Sequence, residues 1–320
     1  MAKCRMPVGG KNSTFARMSK RSLTISTTLS LGLALTLFAC DKTKDESVNA
    51  DDTTPAKQTE AETSDKPAFA DLDSVLAGAH RGDNAARDSQ RHPKETLEFF
   101  GVEPSMTVVE LSAGGGWYTE ILGPYLRDQG KLIVTHWPTT HERYGSSAQK
   151  FADKVNSAPE IYGDVTIAIA PLSADDAFEP APEGSVDVVL TFRNSHGWYN
   201  NGQTQQIYGA AFKALKPGGI FGVVQHRAAE GADPEQTSKQ GYLPESVVIA
   251  TAQEAGFELV EKSEINANPK DTKDHPSGVW TLPPSLSGPE KGVEQSEEEL
   301  AKHNAIGESD RMTLKFKKPG

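Results

Sequence analysis

Cysteine is nearly absent, with two in 320 residues. That is too few for a disulfide framework or a four-cysteine zinc site. Aromatic residues make up 7% and hydrophobic residues 36%, with a mean hydropathy of −0.51. Such apolar poverty predicts that part of the chain does not fold. Positive charge is in deficit, 33 Lys and Arg against 44 Asp and Glu, for a net −11. A nucleic-acid partner needs clustered positive charge, and the whole-chain balance speaks against that class. There is no heptad run and no internal repeat, and the 28 glycines follow no Gly-X-Y period. Coiled coils and collagen-like chains are therefore excluded.

The basic residues that are present begin the chain. Lys3, Arg5, Lys11, Arg17, Lys20 and Arg21 precede any acid, and Leu23 to Ala39 then runs 17 residues without charge. This order is that of a secretory signal. A spanning helix needs about 20 strongly apolar residues, which this Ser- and Thr-containing run does not supply. Leu37-Phe38-Ala39-Cys40 resembles the bacterial lipoprotein box, in which the cysteine is lipidated and becomes the mature N-terminus. An ordinary signal peptide and an uncleaved anchor are the alternatives. The resemblance implies a signal peptide over 1–39, a lipid on Cys40, and a chain tethered to the periplasmic face of a bacterial envelope membrane. Asp41 resembles an inner-membrane retention signal. Loss of the leader's six basic residues takes the net charge from −11 to −17 and leaves Cys40 as the only cysteine. A thiol-free exported domain avoids oxidative chemistry.

Residues 41–67 contain almost no large apolar side chain. They cannot offset their ordering entropy, so 40–68 is expected to be a disordered acidic tether with a reach of about 30 Å. From residue 69 to 320 the pattern changes. Helical spacing over Ala68–Ala79 and a short helix over Glu95–Phe100 precede a strand at Met106–Leu111. Further strands are expected at Lys131–Thr135, Val165–Ile169, Ser185–Phe192, Ile220–Gln225, Phe257–Ile265 and Met312–Phe316. Helices are expected at Trp117–Leu126, Gln203–Leu215 and Pro244–Ala255, and a polar one at Gln295–Asn304 inside an otherwise irregular 266–311. Alternating strands and helices predict an α/β domain on a mostly parallel sheet.

The most informative segment runs from Thr107 to Thr119, TVVELSAGGGWYT. A buried strand ends in an acid, turns through glycines and enters a helix. Glycine permits positive φ and close approach of a ligand to the backbone, and the helix start offers free N–H groups. A dinucleotide fingerprint requires a further glycine at the position of Thr119, which counts against a nicotinamide cofactor. The pattern resembles motif I of class I S-adenosyl-L-methionine-dependent methyltransferases, acid-x-Gly-x-Gly-x-Gly, with Ser112 in place of the first glycine. Ala214-Leu-Lys-Pro-Gly-Gly-Ile-Phe221 and Glu254-Ala-Gly-Phe-Glu-Leu-Val260 resemble that family's approaches to strands five and six. Arg87-Asp-Ser-Gln-Arg-His-Pro93, the Gly-Gly-Gly-Trp-Tyr-Thr119 turn and Ser309-Asp-Arg-Met-Thr-Leu-Lys-Phe316 resemble a bacterial group called predicted methyltransferases.

The resemblance implies a Rossmann-like, doubly wound, seven-stranded sheet whose last strand is antiparallel, with the ligand at the switch point outside the strand ends. It implies S-adenosylmethionine as cofactor, met by Glu110, Ser112, Gly114 and Gly116, with Asp175 or Asp176 near the adenine edge. One departure is plain. The family carries an acid at the end of strand two, and this chain reads Val134-Thr-His-Trp-Pro138 there.

The segment after strand four, Arg193-Asn-Ser-His196, lies over the reacting methyl group in this architecture. His196, or His226 at the end of strand five, is the candidate general base, since imidazole titrates near neutrality. Arg193, Asn194, Arg87 and Arg91 are the candidate substrate contacts, the two arginines sharing a face if their segment is helical. The same residues serve equally as caps, ion pairs and packing. Trp117 and Tyr118 are expected mainly to pack. His136 and His141 have no metal-site spacing. Two classes of function follow: a methyltransferase acting on a small molecule, or a non-catalytic periplasmic ligand-binding lipoprotein on the same fold. A nicotinamide oxidoreductase ranks third.

Overall fold

The computed structural model describes residues 69–320. The expected leader, tether and lipidated Cys40 lie outside the described residues. Seven strands are present: β1 (Thr107–Leu111), β2 (Lys131–His136), β3 (Thr166–Ile169), β4 (Val186–Phe192), β5 (Leu215–His226), β6 (Glu258–Ser263) and β7 (Arg311–Lys317). They form one sheet in the order β3-β2-β1-β4-β5-β7-β6. β1 pairs parallel with β2 and β4, β2 with β3, and β4 with β5, while β7 runs antiparallel to both β5 and β6. The expected doubly wound sheet with an antiparallel last strand is therefore present. The strand order reverses between β1 and β4, which opens a crevice beyond their C-terminal ends.

Why these segments are strands is clear from burial. β1 (TVVEL) and β4 (VDVVLTF) are almost continuously apolar and almost wholly buried. That is the signature of central parallel strands covered on both faces. Alternation assigns the faces: Val108, Val188 and Leu190 pack with Leu97, Phe100, Ile121 and Leu122 on one side. Val109 and Val189 pack with Tyr208, Phe221 and Phe316 on the other. The edges are less apolar, and Ile169 on β3 and Val260 on β6 are exposed.

Several boundaries differ from expectation for local reasons. The helix after β1 starts at Thr119, because Gly116 at φ 77 turns the chain first. β5 begins at Leu215, which pairs with Val186, and pairing resumes at Ile220 with Val188, so 216–219 loop out between them. A helix over Gly145–Asn156 was not anticipated, although Ala148, Phe151 and Val155 form its buried stripe. The polar helix lies at Glu297–Ile306, fixed by a capping box between Ser296 and Glu299. Among the described residues no helix is long and apolar enough to cross a membrane.

Candidate functional site

The crevice at the switch point is floored by the glycine turn. Ser112 leaves β1 at φ 52 and Gly114 follows at φ 59. A Cβ added at Gly114 or Gly115 would meet nothing within 4 Å, so the turn faces open space. At Gly116 a Cβ would come within 2.9 Å of the Phe151 ring, so this glycine serves packing beneath the turn. Asn194 braces the turn from above, its Nδ2 donating to the carbonyls of Leu111 at 3.0 Å and Ser112 at 3.2 Å. The Thr135 hydroxyl accepts from the Ser112 N–H at 2.8 Å.

Two adjoining chambers open on this turn. The first, about 320 Å³, is lined by His136 and Trp137 after β2, Tyr144, Trp198 and Gln203. The second, about 300 Å³, is lined by Arg87, Arg91, Trp117, Phe192, His226 and Trp280. Both share Ser112, Gly114, Arg193, Asn194 and His196. Chambers of this size suit small molecules.

Where the family's strand-two acid would stand, β2 ends in His136. Its Nε2 donates to the Gly114 carbonyl at 2.9 Å, and its Nδ1 is buried without a partner. The ring stacks on Phe151 at 4.9 Å. His136 thus ties β2 to the glycine turn. Trp137 stacks on Tyr144 at 5.1 Å and 18°, forming an aromatic wall to the first chamber.

The structure divides the cofactor candidates. Ser112 and Gly114 line both chambers, and Glu110 lines neither. The Glu110 carboxylate accepts from the Thr119 hydroxyl at 2.6 Å and so joins β1 to the following helix. Burial pushes its pKa up to about 7, against the opposing pull of that hydrogen bond and of Lys154. Asp175 is exposed and belongs to neither chamber. Its neighbour Asp176 caps the turn instead, accepting from the Leu172 and Ser173 N–H groups at 2.7 and 2.8 Å.

The base and substrate candidates come together. His196 and His226 have ring centroids 5.8 Å apart, and Trp280 meets His196 edge-on at 5.8 Å. Burial lowers His196 to about 4, although a hydrogen bond with Gln225 opposes this. Burial, then the neighbouring His196, holds His226 well below its ordinary value. Both rings are therefore neutral at pH 7. His226 Nδ1 is engaged by the Ser309 hydroxyl. Arg87 and Arg91 do share a site, but through a distant residue: each pairs with Glu308, at 2.8 and 3.0 Å. Asp88 does not join them, since it binds Arg81, with Arg81 Nη2 at 2.8 Å. Trp117 lies between two cations, 5.0 Å from Arg81 and 4.6 Å from Arg91, and its indole N–H donates to Asn84 at 3.0 Å. It is held against the wall and leaves the turn open.

Glu308, Trp280, Tyr144 and Gln225 are site residues that sequence reasoning did not single out. Trp280 and Glu308 sit in the 266–311 segment, where no periodicity marks them. Glu308 directly precedes the Ser309–Phe316 stretch, and that adjacency was the available signal. Among the described residues no group of three or more His, Cys, Asp and Glu side chains is placed to hold a metal.

No protein-family model matches the chain, and no curated protein matches it. Solved structures do. The [4+2]-cyclase SpnF aligns with a TM-score of 0.50 at 14% identity, over 78% of this chain and 92% of that one. A putative sarcosine dimethylglycine methyltransferase from Galdieria sulphuraria aligns at 0.48 and 14%, over 73% and 87%. A SAM-dependent methyltransferase from Aquifex aeolicus aligns at 0.45 and 18%, over 62% and 94%. At such identities the likeness is one of fold. With the strand order, it is the likeness of a Rossmann-like α/β sheet of seven strands, β7 running antiparallel to its neighbours.

Proposed function

We propose that this chain is an S-adenosylmethionine-dependent methyltransferase acting on a small molecule. The observation that carries the reading is the open glycine turn at the junction of two chambers, one toward β2 and one toward β5. A two-substrate transfer needs donor and acceptor held on either side of one point. The residues present fit the donor in part. Ser112 and Gly114 offer an uncluttered backbone to a methionyl tail, and Trp137 with Tyr144 offer flat apolar surface to a nucleobase. When bound, the donor supplies a methyl group already activated by sulfonium charge. The protein's work is then alignment and exclusion of water. Asn194 fixes the turn, Arg193 and His196 sit where the chambers meet, and Trp280 closes the rim. His196, with His226 behind it, is the candidate to take the proton released when a hydroxyl or amine acceptor is methylated, and at a pKa of about 4 it passes that proton on to solvent rather than keeping it.

Calorimetric titration of the full chain with S-adenosylmethionine tests this. Micromolar binding is expected, and no binding at millimolar donor overturns it. One observation favours a second reading, a non-catalytic ligand-binding protein on the same fold. The end of β2 carries His136 rather than a carboxylate, so the ribose hydroxyls lack their bidentate acceptor. Absence of donor binding alongside retention of another small ligand is the result that reading expects. We further propose that Cys40 carries a lipid that tethers the domain to the periplasmic face of a bacterial envelope membrane, the motif after the apolar run being its support.

A further inference from the structure

The second chamber holds more positive charge than this chain neutralises. Glu308 is a single carboxylate shared by three guanidinium groups: Arg87 at 2.8 Å, Arg91 at 3.0 Å and Arg311 at 3.2 Å. A fourth, Arg193, reaches the chamber from the end of β4 and makes no side-chain hydrogen bond or ion pair among the described residues. Arg91 is 1% exposed, yet its Nη1 and Nη2 have no hydrogen-bond partner. Other acids nearby are committed elsewhere. Asp88 is held by Arg81, and Asp310 by Arg227 and Lys273.

Uncompensated buried cations are costly, and folds keep them where a ligand supplies the counter-charge. The strain shows in the groups themselves. Burial, with the neighbouring arginines, lowers Arg91 to about 8, while Glu308 opposes this. Burial lowers Arg193 to about 10. A sulfonium donor does not correct the imbalance. Its carboxylate is outweighed by its ammonium and sulfonium groups, so it adds positive charge. An anionic group on the other substrate would supply the missing charge.

We infer that the methyl acceptor is a small oxyanion, a molecule bearing a carboxylate or phosphate gripped by Arg193 and Arg87, with Arg91 in the wall behind. This rests on the methyltransferase reading and names its acceptor class. Arg193 contributes planar N–H donors from the end of β4, suited to forked recognition of an oxyanion, and Arg87, whose Nε is on Glu308, adds charge from the segment before the sheet. Trp280, 40% exposed at the rim, offers an apolar face to the rest of the molecule. His196 lines this chamber and the first one alike.

The test is titration of the full chain with inorganic phosphate and with malonate, alone and with saturating S-adenosylhomocysteine. Binding of both anions is expected, retained in the presence of S-adenosylhomocysteine. Arg193→Gln should weaken it about tenfold, Arg193→Lys should restore part of the loss, and Lys94→Gln on the outer surface should leave it unchanged. Near-UV circular dichroism checks the fold, and Arg87→Gln serves in its place if Arg193→Gln does not fold. Absence of anion binding, or binding indifferent to both arginine substitutions, overturns the inference while leaving donor binding as a separate result. Competition between phosphate and S-adenosylhomocysteine also overturns it, because the chamber would then hold the donor's own carboxylate. Anion binding that responds to the substitutions, in a chain that binds no S-adenosylhomocysteine, retains the oxyanion site and removes the methyltransferase reading.

Discussion

Single residues carry the first expectations. Glu110 has a folded pKa of about 7 against an ordinary value of 4.5. The fold thus favours its neutral form. That contribution to stability is complete below the unfolded pKa and is lost as pH rises through the folded one. Glu110→Gln keeps an acceptor for Thr119 without the charge. It should match the parent at pH 4.5 and exceed it by about 3 kcal/mol at pH 8, as read by urea unfolding. An equal difference at both pH values would show that desolvation is not what governs this carboxyl. Gly114 is the complementary case. The Cβ of a valine there meets no protein atom within 4 Å, but the residue takes φ 59, a strain of about 1–2 kcal/mol, and its methyls extend into the cradle. Gly114→Val should remain folded and lose at least about tenfold in S-adenosylmethionine affinity. Both residues stood out in the sequence, yet only Gly114 faces a chamber. Spacing identifies a turn but does not say which way each member of it points.

At the scale of elements, the segment before the sheet is fastened to the last strand through charge. Burial alone would raise Glu308, but Arg311, Arg91, Arg193 and Arg87 outweigh it and bring the carboxyl down to about 2. Its stabilisation is present above the unfolded pKa near 4.5 and is lost as pH falls toward 2. Glu308→Gln leaves the guanidinium groups without a counter-charge and should cost about 3–5 kcal/mol at pH 7, visible in the unfolding midpoint. Added phosphate should restore part of that loss. Packing makes a second junction. A Cβ on Gly222 of β5 would lie 2.7 Å from Leu190 and 2.8 Å from the Phe100 ring. Gly222→Val should therefore destabilise by about 1–3 kcal/mol, because the Pro93–Phe100 helix has to lift from the sheet. The strands were legible because buried parallel strands are runs of Val, Leu and Ile. The Gly145–Asn156 helix was missed, because its Gly-Ser-Ser start hid the stripe Ala148, Phe151, Val155. The course of 266–311 was not legible, because its contacts are made with residues far away in the chain.

For the whole molecule, the proposed lipid on Cys40 carries its own expectation. Cys40→Ser should release the protein from the membrane fraction while leaving the thermal midpoint of the domain unchanged. Unaltered membrane attachment would argue against lipidation. The sequence by itself determined the order of strands and helices, the glycine turn with its family resemblance, and the missing acid after strand two. These follow from local pattern, since periodicity, glycine and helix stops act over a few residues. Only the tertiary structure decided which charges meet. Arg87 and Glu308 are 221 residues apart in sequence and 2.8 Å apart in space. The pairing of β5 with β7 is what sets His226 beside Arg311, at the end of the chain. A surplus of cations in one chamber is a property of that meeting, and no local reading of a net-acidic chain contains it.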